Sequence, residues 1–149
     1  MRFLGFVFLA FILSGVLLVA DSIIPSHFLN DFIQNNYIET FAALIGLNIT
    51  ASIFLLSQIA DIELRNNQEN GIFIHTRKEI KQSIYFLLSS FILSFVLLAV
   101  RPELGQLHTK PWIYVYHGLN VVILSIFFLS LYAIYELFCA AFTLNNRSK

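Results

Sequence analysis

Apolar residues fall into four long blocks along this chain, and polar residues collect in the gaps between them. The first block, 3–20, carries no charge; the second, 37–60, has Glu39 near its start; the third is 84–100 and the fourth 112–144. A helix of about 17 to 25 apolar residues crosses the ~30 Å hydrocarbon core of a bilayer, so each block predicts a spanning helix. The fourth, at about 33 residues and 1.5 Å rise per residue, reaches about 50 Å, and its far end must tilt or project into water. An apolar amino-terminal block can instead be a secretory signal. Against that, Leu18 stands three residues before a cut after Ala20, where a small side chain is wanted, and the only basic residue at the start is Arg2. The block reads as a retained helix.

The gaps carry their own patterns. In DSIIPSHFLNDFIQNN (21–36), Ile24, Phe28, Leu29, Phe32 and Ile33 share one helical face, and Pro25 and Ser26 suit a first turn. Residues 24–35 therefore predict a short amphipathic helix lying on the outer membrane surface, or else a lid or sensor element there. In the 61–82 gap, Asp61 to Arg65 continues the second helix, and Asn66, Asn67, Asn70 and Gly71 break it. Thr76 and Glu79 fit a capping box, so a helix is expected to start at Thr76. In RPELGQLHTKP (101–111), Pro102 and Gly105 are expected to stop one helix and Pro111 to start the next. Trp112, Tyr114 and Tyr116 then form an aromatic belt.

Composition fits lipid as the main solvent. Of the 149 residues 58% are hydrophobic and 12% charged, about half the ~25% charge of soluble domains. The formal net charge is zero, and nothing suggests direct nucleic-acid binding. Lys and Arg in the flanks set orientation. With both termini inside, Arg2, Arg65, Arg77, Lys78, Lys81, Arg147 and Lys149 lie inside, and Arg101 and Lys110 outside. The expected fold is an all-α, four-transmembrane-helix bundle, N-in and C-in, with a long fourth helix projecting into the cytoplasm. The basic 61–82 loop then meets the anionic inner leaflet.

Polar residues inside the spans are the candidates for function. An ionisable group at mid-membrane is a functional signal, but Glu39, His117 and Glu136 all fall near span ends. On the second helix, Ala42, Gly46, Thr50, Ile53 and Ser57 form one small-residue stripe, so Ala42, Gly46, Thr50 and Ser57 are candidates for packing between copies of the chain. Asn48, Ser52, Ser90, Ser94, His117 and Asn120 are either helix–helix glue or a polar track through an oligomer. Asn48-Ile49-Thr50 matches a glycosylation sequon, but inside a span no modifying enzyme reaches it. On the inner loop, Ile72, Phe73 and Ile74 stand beside Arg77, Lys78 and Lys81. They pack under the bundle, dip into the headgroups, or dock a partner.

Known chemistries find little to use here. Cys139 is the only cysteine, which excludes an internal disulfide, a CxxC pair and the several cysteines of membrane disulfide enzymes such as vitamin K epoxide reductase; it reads as a packing residue. Haem b needs two histidines deep in the bundle, and only His117 lies in a span. No HExxH, GxSxG or Walker pattern occurs. The first helix lacks the glutamate of small multidrug transporters. No cofactor, metal or catalytic role is expected, which leaves a scaffold or sensor subunit working through a cytoplasmic partner, or alternatively a small homo-oligomeric channel.

The chain's size, four spans, internal termini and basic inner loop (Arg65, Arg77, Lys78, Lys81) resemble the small membrane subunit of Kiwa-type bacterial anti-phage systems. The resemblance is one of layout over the whole chain and carries over no site residues. It implies an oligomer in the bacterial inner membrane, holding a soluble DNA-binding partner beneath it.

Overall fold

The computed structural model describes residues 2–23, 28–65, 73–106 and 110–147, and all of them are helical apart from a turn at Phe73. Helix α1 is Arg2–Ile23, α2 Phe28–Asp31, α3 Tyr37–Arg65, α4 Ile74–Gln106 and α5 Lys110–Arg147. A π-helical segment, Phe32–Asn36, joins α2 to α3, so 28–65 is one unbroken helical run. Four helical runs are long and apolar enough to cross a membrane, which marks a membrane-embedded protein. Helix is what such sequences must form there: in hydrocarbon every backbone N–H and C=O needs a partner within its own segment.

Three of the helix boundaries differ from those the local signals predict. Helix α4 begins at Ile74, not Thr76, and its first turn closes with the Arg77 N–H on the Phe73 carbonyl at 2.9 Å. Thr76 is therefore inside the helix and caps nothing. At its other end α4 runs through Pro102 and Gly105 to Gln106. Proline gives up its own N–H and crowds the carbonyl four residues back, and α4 continues past it all the same. Residues 24–27 lie outside the described residues. From Phe28 onward the segment expected on the outer surface does not stand apart from the second span. Leu29, Phe32 and Ile33 turn toward the core, with Ile33 buried in it.

Helix α5 is the hub. It packs against α1, α3 and α4, and Ile123, Leu124, Ser125 and Ile126 are all buried. Four successive residues cover more than a full turn, so this part of α5 is enclosed on every side. The main core joins Ile33, Tyr37, Phe41 and Ile45 to Leu87 of α4 and to Ile123, Leu124, Ile126 and Ile134 of α5. A smaller cluster, Leu55, Ile59, Ile80 and Leu137, closes the other end of the bundle. Helix α1 buries only the small residues Ala10 and Ser14 among its described side chains. They let it approach α5 until Ser14 Oγ and Ser125 Oγ are 3.1 Å apart, and Phe6 stacks on Tyr132 at 3.7 Å.

Several serines in the apolar helices pair their hydroxyls within their own helix. Ser14 donates to the Ala10 carbonyl at 2.7 Å, Ser130 to Ile126 at 2.8 Å and Ser57 to Phe54 at 2.7 Å. Each uses its own preceding turn as acceptor.

Candidate functional site

The buried face of α3 reads Tyr37, Phe41, Ile45, Asn48, Ser52, Leu55, Ile59 and Glu63, steps of three and four that follow one side of a helix. Its polar members meet different partners. Tyr37 donates its hydroxyl to the Ile123 carbonyl at 3.1 Å and lies 2.9 Å from Ser94 Oγ. Ser52 reaches Asn48 Oδ1 at 3.5 Å, and Asn48 Nδ2 is buried with no hydrogen-bond partner among the described residues. Asn120 instead accepts from Arg101 Nε at 2.8 Å. Ser90 is buried and His117 exposed. Five of the six residues of the expected track are thus buried inside one subunit, Asn48 and Ser52 facing each other, and the sixth, His117, faces away. The small-residue stripe behaves differently. Ala42, Gly46, Thr50 and Ser57 are all exposed, and Thr50 Oγ1 is satisfied by the Gly46 carbonyl at 2.9 Å.

Two polar centres mark the two ends of the bundle. At one, Arg101 is 5% exposed. Its Nη2 donates to Asn30 Oδ1, the Tyr116 hydroxyl reaches the same oxygen at 3.1 Å, and the guanidinium lies 5.1 Å from the Tyr116 ring centre. Nearby, the Leu29 N–H donates to Asp21 Oδ1 at 3.2 Å. Reading Arg101 as a loop cation missed this centre. Its signal was an arginine directly after an apolar span, with Asn120 and Asn30 available.

At the opposite end Arg77 Nη2 and Glu63 Oε2 are 2.5 Å apart, with side chains 34% and 6% exposed. Arg77 is thereby withdrawn from the surface it was expected to serve. Phe73 is withdrawn as well, being half-buried against the smaller core cluster, and Ile72 lies outside the described residues. What stays outward is Ile74, 58% exposed, with Lys78 and Lys81 exposed beyond it. Spacings of four and seven put these three on one stripe of α4. The ion pair yields an asymmetric prediction. Arg77→Met strands a buried carboxylate and should lower stability by about 1–2 kcal/mol, less than for a fully buried pair because Arg77 is one-third exposed. Glu63→Gln should cost less, and the double variant should regain much of the Arg77→Met loss. Thermal unfolding in detergent decides it, and equal losses in both single variants would contradict the pairing.

Beside this centre α4 and α5 part into a groove of about 670 Å³. Phe86, Leu129, Ala133 and Leu137 give it apolar walls, and Glu79 and Glu136 stand on opposite sides. Both carboxylates are at nearly one depth, since the adjoining Ile80 and Leu137 pack together. Tyr132 donates its hydroxyl to Glu136. Ser83 Oγ, also on the wall, is buried without a partner among the described residues. Cys139 lines the groove and is exposed, so it is not the packing residue its position in the span suggests. Among the described residues no group of three or more His, Cys, Asp or Glu is placed to hold a metal ion. No protein-family model, curated protein or solved structure matches the chain.

Proposed function

We propose that this chain is a non-enzymatic, oligomeric membrane scaffold or sensor subunit that recruits or regulates a cytoplasmic partner protein. In this reading it lies in the bacterial inner membrane with both termini inside, and serves antiviral defence as the Kiwa-type layout implies. One observation carries the reading: Ile74, Lys78 and Lys81 form an exposed stripe where α4 begins, while the neighbouring Arg77 and Phe73 are committed inward. Cations kept off the ion pair and beside an exposed isoleucine fit a protein surface of acidic and apolar character. The exposed Ala42, Gly46, Thr50 and Ser57 stripe supports a second copy of the chain as neighbour, since small residues let helices approach closely. The channel reading has less support, because Asn48, Ser52, Ser94 and Asn120 are buried within a single chain.

Crosslinking in intact cells followed by purification tests the partner surface. Wild-type protein should retain a soluble partner, and Ile74→Asp with Lys78→Glu and Lys81→Glu should lose it while still inserting and folding. An undiminished partner in the triple variant, or none with the wild type, would refute this surface.

A further inference from the structure

The α4–α5 groove has a chemistry that the partner surface does not use. Its volume of about 670 Å³ falls within the ~300–1,000 Å³ of small-molecule sites. It is half open on the flank of two membrane-spanning helices, so its natural occupant is a lipid of the surrounding bilayer. Its polarity is graded along the helix axes. Glu136 lies about 36 Å along α5 from Trp112, past the ~30 Å hydrocarbon core and at headgroup depth. Phe86 and Leu129 lie about two turns deeper, where acyl chains run. Neither Glu79 nor Glu136 has a cationic partner among the described residues. Two carboxylates facing one groove disfavour a purely anionic headgroup. The same two carboxylates favour a headgroup that offers an ammonium group over one that is only anionic.

We propose that this groove binds a phospholipid with an ammonium headgroup, of the phosphatidylethanolamine type, its chain along Phe86, Leu129 and Ala133 and its ammonium between Glu79 and Glu136. The site needs lipid around the helices and is independent of the partner surface, so a failed partner experiment leaves it standing.

Delipidated protein in detergent, offered equal amounts of dioleoyl phosphatidylethanolamine and dioleoyl phosphatidylglycerol, tests the site by native mass spectrometry. The bound ratio should favour the ethanolamine lipid about three- to fivefold, the scale of one or two partly exposed ion pairs. In Glu79→Gln with Glu136→Gln it should fall to about one. The wild-type chain supplies a second readout, because Cys139 is its only cysteine and lines the groove. Its alkylation by N-ethylmaleimide should slow several-fold with the ethanolamine lipid and less with the glycerol lipid. Equal binding, a preference for the glycerol lipid, a preference that survives both glutamine substitutions, or an alkylation rate indifferent to headgroup would each overturn the proposal.

Discussion

Tyr37→Ala should melt well below the wild-type protein. Tyr37 is 1% exposed, and its ring sits edge-on or tilted between Phe32, Phe41 and Phe127, with centroids 5.6 to 6.3 Å away. Its hydroxyl ties α3 to Ser94 of α4 and to the Ile123 carbonyl of α5. Lipid tails are as apolar as a protein core, so removing the ring forfeits little transfer energy in a membrane. The cavity and the lost ring contacts remain, and large-to-small changes of this kind cost about 3–5 kcal/mol in soluble cores. Keeping only the cavity and packing share gives about 2–4 kcal/mol. For a chain of this size that is roughly 5–15 °C in melting temperature. Tyr37→Phe separates the two parts: it keeps the ring and loses one hydroxyl, worth about 0.6 kcal/mol between membrane helices. A Tyr37→Ala protein that melts with the wild type, or a Tyr37→Phe protein as weak as Tyr37→Ala, would contradict the role given to the ring.

Arg101→Leu should loosen the other end of the bundle. Arg101 binds Asn120 of α5 and Asn30 of α2, and faces the ring of Tyr116. Leucine leaves Asn120 Oδ1 without its donor in a buried site, at about 1–3 kcal/mol for an unsatisfied group. Asn30 keeps the Tyr116 hydroxyl and loses less. The cation–π contact adds about 0.5–2 kcal/mol. Relief from burying a charge offsets part of this, and a net loss of about 2 kcal/mol is expected once these are combined. Arg101→Lys should fall between, since it keeps the charge but not the planar fork that spans two asparagines. Limited proteolysis should show earlier cleavage within 21–36 in Arg101→Leu than in wild type. A double-mutant cycle with Asn120→Leu should return a coupling of about 1 kcal/mol, and additive losses would argue against the contact.

Not everything about these two centres was hidden in the residues. Tyr37 opens an apolar span. Asn48, Ser52, Ser94 and Asn120 stand out as polar residues in spans, and all four are buried. Within the subunit α3 packs through a face other than its small-residue stripe. Its small stripe is exposed, while the buried stripe carries bulkier side chains together with Asn48, Ser52 and Glu63. The start of α4 was misread for a related reason. A Thr76 cap is a local signal, but Phe73 packing in the smaller cluster and Arg77 reaching Glu63 draw the first turn two residues back.

From its residues alone this chain declares that it is helical and that four of its helices are long and apolar enough to cross a membrane. Those features depend on run length and on backbone groups that must bond within their own segment in hydrocarbon. Which side of each helix meets protein, and which polar residues meet each other, was decided only by the tertiary structure. In water the contrast between apolar and polar faces marks the inside. In lipid both sides of a helix face something equally apolar, so periodicity loses its meaning, and shape and the pairing of a few polar groups choose the face.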